Sequence, residues 1–105
     1  MKFGRVPASV MLDETIPLQT KGLYSILVCL CGARDYCYPK VEYLVELTAM
    51  SRASVYRHLQ DLEDRGLIRR AYDPSKKRII TRNLAFLSYN QLENQQSNDQ
   101  TRREN

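Results

Sequence analysis

Three groups of side chains in this 105-residue chain have chemistry to offer: Cys29, Cys31 and Cys37; the single histidine, His58; and a run of cations from Arg52 to Arg82. Cys29 and Cys31 suggest a metal pair, but on a helix two residues apart they point about 200° away from each other. With no fourth ligand nearby, the thiols read as core and loop residues, and no metal is expected. Cys37 would need a base to become a nucleophile. His58, the only imidazole, falls on the flank of another helix's apolar stripe and reads as a rim residue, packing or facing weakly outward. No glycine-rich phosphate loop, carboxylate pair or Ser/His/Asp set is present, so neither an enzyme nor a cofactor is expected. The cations remain. Between Arg52 and Arg82 stand nine basic and four acidic residues, +5 for a chain whose net charge is +4. A positive field confined to one part of a chain suits a polyanionic partner.

The element that must position those cations begins at Ser51, whose hydroxyl can accept from the free N–H groups of a first helical turn. Val55, Leu59 and Leu62 follow at helical spacing on one face, and Gly66 stands where a left-handed residue would stop the helix. The opposite face holds Ala53, Arg57 and Gln60, with Ser54 and Asp61 beside it, while Arg52 projects from the first turn. The charges run against the helix dipole: Arg52 and Arg57 lie in the first half, Asp61, Glu63 and Asp64 in the second. Each exposed charge so placed costs roughly 0.3–1 kcal/mol. A local rule broken without local gain is expected at a functional site, and cations at this end suit phosphates or guanine edges. The plain reading is a solvated helix whose charge order is accidental.

In chain order, 1–16 reads as an extended arm, with Pro7 and the cluster Asp13-Glu14-Thr15. Pro17 suits a helix start. Leu18 to Cys31 is apolar almost all round, as a central helix is; Gly22 would admit a close neighbour, and Gly32 would stop the helix. Ala33 to Pro39 is a loop or a two-residue edge strand. A shorter helix follows from Lys40 to Thr48, with Val41, Leu44, Val45 and Leu47 inward, and Ala49-Met50-Ser51 makes the turn. Leu67–Tyr72 and Arg78–Asn83 are strand candidates around a turn containing Pro74. The adjacent pair Ile79 and Ile80 leaves open which of them faces the core. Phe86, Tyr89 and Leu92 suggest a short helix over 85–93, and the polar segment 94–105 is expected to be disordered. The seven tyrosines are scattered over every element, which counts against a stacking platform for single strands and suits core edges. Arg69 and Arg70 read as nucleic-acid contacts rather than as edge-strand charges. The three cysteines, the absence of a signal-like apolar segment and the short apolar run Leu23–Ala33 suggest a cytoplasmic protein without a membrane span.

The string Met50-Ser51-Arg52-Ala53-Ser54-Val55-Tyr56-Arg57-His58-Leu59, the ending Leu62-Glu63-Asp64-Arg65-Gly66-Leu67-Ile68 and the basic hairpin resemble bacterial winged helix-turn-helix DNA-binding domains. Val6-Pro7, Leu12-Asp13, Lys21-Gly22-Leu23-Tyr24 and Tyr38-Pro39 look like one subgroup, found in phage and plasmid replication initiators and small transcriptional regulators. The resemblance implies a mainly α fold with a small β-hairpin, a three-helix core plus wing over 17–84. It implies sequence-specific binding of double-stranded DNA, helix 51–65 entering the major groove and wing 68–83 lying over adjacent backbone. By position, Arg52, Ser54 and Arg57 would reach base edges, and Ser51, Tyr56, Lys76, Lys77 and Arg78 would meet phosphates. Two positions depart from the pattern. Ala49 stands where a glycine with positive φ is usual, and Lys40 stands where a Ser or Thr cap is usual; Lys40 could meet a phosphate instead. The rival from another class is a winged helix used only as a protein-docking module, resting on Phe86, Leu87 and Leu92. A homodimer driven by the tail would add a second half-site about one helical turn away.

Overall fold

The computed structural model of the chain describes residues 5–85. The expected helix 85–93 beyond its first residue, the expected disordered tail 94–105, and Phe86, Tyr89 and Leu92 lie outside the described residues.

Pro17, extended at φ −61°, ψ 149°, opens the long helix α2 (Leu18–Cys31), and Gly32 ends it at φ 62°. Helix α1 (Ala8–Met11) precedes it, so the expected extended arm is corrected to a single helical turn that sends Val10 into the core. Thr15 donates its backbone N–H and its hydroxyl to Asp13 Oδ1, at 2.9 and 2.7 Å. That Asx turn holds the Asp13 carboxyl below the usual carboxylate range and delivers Ile16 to the core. Helix α2 buries Leu23, Tyr24, Leu27, Val28 and Cys31, but Leu18 and Cys29 are exposed, so the helix is half-covered and not central. Nothing lies within 4 Å of a Cβ built on Gly22. The expected close approach there does not occur.

The edge strand β1 (Tyr36–Cys37) leads to α3 (Val41–Thr48), the turn 49–51 and α4 (Arg52–Asp64). Strands β2 (Ile68–Asp73) and β3 (Arg78–Asn83) form the hairpin, and the sheet order is β1-β3-β2, antiparallel throughout. Helix α3 puts Leu44 at 1% exposure, with Val41 and Val45 against the core, whereas Leu47 is exposed rather than inward. The reason is angular: Leu47 projects about 110° from the centre of the buried face. Ile80 is buried and Ile79 exposed, but the register puts Ile79 on the α4-facing side with Thr81, while Ile80 shares the other face with Arg82 and lies outside the core cluster.

Helix α4 packs Val55, Leu59 and Leu62 against α2 and the sheet, all at 2% exposure or less. It ends in a Schellman motif: Gly66 N–H donates to Glu63 O at 2.9 Å and Leu67 N–H to Leu62 O at 3.0 Å, with Gly66 at φ 76°. His58 is not a rim residue. It is 6% exposed, and its Nδ1 lies 2.8 Å from Thr20 Oγ1 of α2. That same hydroxyl donates to Asp61 Oδ2 at 3.1 Å. Tyr24, wholly buried, donates its hydroxyl to Asn83 Oδ1 at 2.7 Å, joining α2 to β3; burial pushes its phenol up to about 12.

Candidate nucleic-acid interface

Ser51 caps α4 as its type demands: Ser54 N–H donates to Ser51 Oγ at 3.1 Å. The Ser51 hydroxyl also lies 3.1 Å from Ser54 Oγ, so the two serines are tied together at the helix start. This cap fixes the direction in which the first turn presents Arg52, Ala53, Tyr56 and Arg57, all four exposed. Arg57 makes no ion pair or hydrogen bond among the described residues and stands in solvent.

Arg52 is different. Its Nη1 donates to Glu42 Oε1 at 2.8 Å, and its guanidinium sits over the Tyr56 ring, 5.8 Å from the centre. Glu42 belongs to the first turn of α3, so this pair bridges the two helices across the turn. The Glu42 carboxyl is held below its usual range, first by its own backbone N–H and then by Arg52; the Glu42 partner in turn raises Arg52. Sequence reading missed Glu42. The one available signal was an acid in the first turn of α3, which is unremarkable in itself.

The turn that sets α3 against α4 places Ala49 at φ 58°, ψ 18°, in the left-handed region, with its N–H donating to Val45 O at 2.9 Å. The turn is therefore the glycine-type turn built with alanine. Lys40 occupies the cap position of α3 in extended backbone at φ −79°, makes no capping bond and is exposed.

At the far end of the hairpin, Lys76, Lys77 and Arg78 are exposed around a tight turn. Asp73 Oδ1 accepts from Ser75 N–H at 3.0 Å and from its hydroxyl at 2.7 Å. Ser75 first, and then the Tyr38 hydroxyl, holds the Asp73 carboxyl low. Lys77 takes φ 53°, a second left-handed non-glycine residue. A cleft of about 280 Å³ between α3, α4 and the wing brings together five of the expected contact residues: Lys40, Arg52, Tyr56, Lys77 and Arg78. Ser51, Ser54, Arg57 and Lys76 do not line it. Its floor is apolar, formed by Val41, Leu44 and Leu59. Tyr72 and Ile79, directly opposite each other on the hairpin and both exposed, extend the wing's α4-facing side; periodicity gave no sign of them. Arg70, expected to face a nucleic acid, is instead ion-paired with Glu63 of α4 and lies on the inner face of the sheet.

The order α2, α3, short turn, capped α4 and hairpin is that of a winged helix-turn-helix, and residues 14–68 match a helix-turn-helix domain family. The chain belongs to that DNA-binding family. The match runs from the Asp13–Thr15 turn through α4 to the first residue of β2, so it holds the helix-turn-helix unit and leaves most of the wing outside. No curated protein matches the chain. Among the described residues, no group of three or more His, Cys, Asp or Glu could hold a metal, and no helix is long and apolar enough to cross a membrane. Cys31 and Cys37 are both buried, and a hydrogen bond between the thiols lowers Cys31. Cys37 is thus a core residue of β1 rather than a loop thiol. In this helix-turn-helix protein the candidate interface is the exposed start of α4, the cleft beside it and the wing tip.

Proposed function

We propose that the chain binds double-stranded DNA sequence-specifically, α4 entering the major groove and the basic wing lying over adjacent backbone. The observation that carries this reading is the shared cleft: cations from α3, α4 and the wing tip converge beside the exposed start of the capped helix. Arg57, Arg52 and Ser54 read base edges, the arginines best at guanine O6 and N7. Lys40, Ser51, Tyr56, Lys76, Lys77 and Arg78 meet phosphates. Ala53, on the same exposed face, lets the helix sit close to the groove floor. The protein acts as a transcriptional regulator or as the recognition part of a replication initiator, within a DNA-binding unit spanning 17–84.

Selection of bound duplexes from a random pool at defined salt tests the reading. Affinity should fall steeply with salt. Arg57→Ala should cost about 1–3 kcal/mol and relax preference at one base pair, while Lys77→Ala should weaken all sequences alike. The absence of salt-sensitive duplex binding below about 10 µM, in a range where non-specific binding alone is measurable, would refute it.

A further inference from the structure

The hairpin register aligns Tyr36 with Arg82 and Arg82 with Arg69, one residue from each strand of the sheet. Directly opposed residues share a face. This face is turned away from α4, because the alternate positions Cys37, Thr81, Asn83 and Ile68 are buried and Arg70 turns inward to Glu63 of α4. Ile80 on the same face is buried too, and the exposed part of the face is the row at Arg69 and Arg82. Like charges directly opposite each other are destabilising, yet Arg69 and Arg82 stand opposed and exposed. Protection of a sheet edge explains arginine on β2, which is an edge strand. It does not explain Arg82, which is on the central strand β3.

Aromatic rings complete the face. The guanidiniums of Arg34 and Arg82 lie over the Tyr36 ring, 5.7 and 5.8 Å from its centre, and Tyr38 meets Tyr36 edge-on at 5.9 Å. The Tyr38 hydroxyl donates to Asp73 Oδ2 of β2 at 2.9 Å, which carries its ring across β3. Asp35, 4.0 Å from Arg82, is the one carboxylate paired with these arginines among the described residues. The tyrosines are scattered along the chain, but folding gathers Tyr36 with three arginines on the side of the sheet away from α4, and Tyr38 stands at the border, where it also lines the cleft beside α4.

We propose that this outer face binds single-stranded nucleic acid. Arg34, Arg69 and Arg82 engage phosphates, and unpaired bases stack on guanidinium and phenol planes. A duplex keeps its base faces stacked inside, and an acidic peptide has none, so either would use the charges and leave the rings idle. The row Tyr36, Arg82 and Arg69 lies on the other side of the sheet from the cleft beside α4 and adjoins it only at Tyr38, so each surface can fail without the other.

The test is fluorescence anisotropy of the full chain with a labelled oligothymidylate of about 12 nucleotides, within the site sizes such surfaces cover. Wild type should bind. Arg69→Gln with Arg82→Gln should weaken binding about tenfold or more and flatten the log–log salt slope by about 1.4, at about 0.7 for each phosphate no longer neutralised. Tyr36→Leu, which keeps every charge, should weaken it at least about fivefold by removing a stacking surface. Both variants should melt as wild type does and keep the wild-type sequence preference on duplexes, while Arg57→Ala should spare the single strand. No oligothymidylate binding by wild type, unchanged binding by the arginine pair variant, or indifference to Tyr36→Leu would each overturn the proposal. So would displacement of the oligonucleotide by polyglutamate at equal charge. Loss of duplex binding alone in Arg57→Ala bears only on the proposed function of α4.

Discussion

Ala49→Gly should stabilise the protein. Ala49 sits at φ 58°, ψ 18° in the turn that joins α3 to α4, and its side chain is exposed, so the methyl group contributes little packing. Holding an L-residue in the left-handed region costs roughly 1–2 kcal/mol. Glycine removes that strain but gives the unfolded chain more freedom, a loss of about 0.4–1 kcal/mol. The difference is a net gain of about 0.5–1 kcal/mol, which for a domain of this size raises Tm by roughly 2–8 °C. Urea and thermal unfolding followed by circular dichroism would measure it. Ala49→Val is the control: a β-branched residue fits the left-handed region worst, and the protein should lose stability. If glycine lowers Tm and valine leaves it unchanged, residue 49 is not left-handed and the turn has been misread.

Further predictions concern single bonds. Glu42→Gln should free Arg52 from its 2.8 Å ion pair, and the salt slope of duplex binding should steepen by about 0.9, one phosphate's worth, with poorer discrimination between sites; an unchanged slope would count against a DNA-facing Arg52. Tyr24→Phe should cost about 1–3 kcal/mol, because Asn83 Oδ1 loses its buried donor; urea titration reads this directly. The raised Tyr24 phenol also sets a pH dependence. The folded state holds its proton up to about pH 12 while the unfolded chain releases it near 10, so stability is fully present below pH 10 and is lost as pH rises through 12. Tyr24→Phe should remove that alkaline loss. Thr20→Val should cost about 1–3 kcal/mol, since it strips His58 Nδ1 of the hydroxyl 2.8 Å away in a buried site.

The parts legible in the sequence were those whose signals are local. Ser51, the Val55-Leu59-Leu62 stripe and Gly66 mark a start, a face and a stop within sixteen residues, and α4 follows them closely. At Ala49 the resemblance left two options open, a strained left-handed alanine or a different turn, and the turn takes the first. Several of the misreadings share one cause, which is distance along the chain. His58 lies at the edge of the apolar stripe, and only Thr20, thirty-eight residues earlier, makes that edge a buried site. Glu42 gains its meaning from Arg52, and the outer row of Arg69, Arg82 and Tyr36 exists only once the strands are in register. Helix α1 is four residues long, too short for any period to appear.

The reversed charges of α4 can now be divided. Its acidic half has tertiary partners: Asp61 accepts from Arg65 at 3.0 Å and from Thr20 at 3.1 Å, and Glu63 is paired with Arg70 of the wing. Arg65 in turn donates to Thr15 O at 2.7 Å, fastening the segment before α2 to the end of α4. Those carboxylates hold the helix against α2, the hairpin and the N-terminal segment, and partly buried bonds to charged groups outweigh a dipole term of a few tenths of a kcal/mol. Half of the reversal is therefore structural. In the basic half, Arg52 is matched by Glu42 from the neighbouring helix. Arg57 has no partner among the described residues, on a helix whose other end is held in place. The unexplained part of the pattern narrows from five charges to two: Asp64, which accepts only from Gln60 of its own helix, and the exposed guanidinium of Arg57 at the end proposed to meet DNA. That makes Arg57→Ala the substitution that separates a DNA-reading helix from a merely well-anchored one.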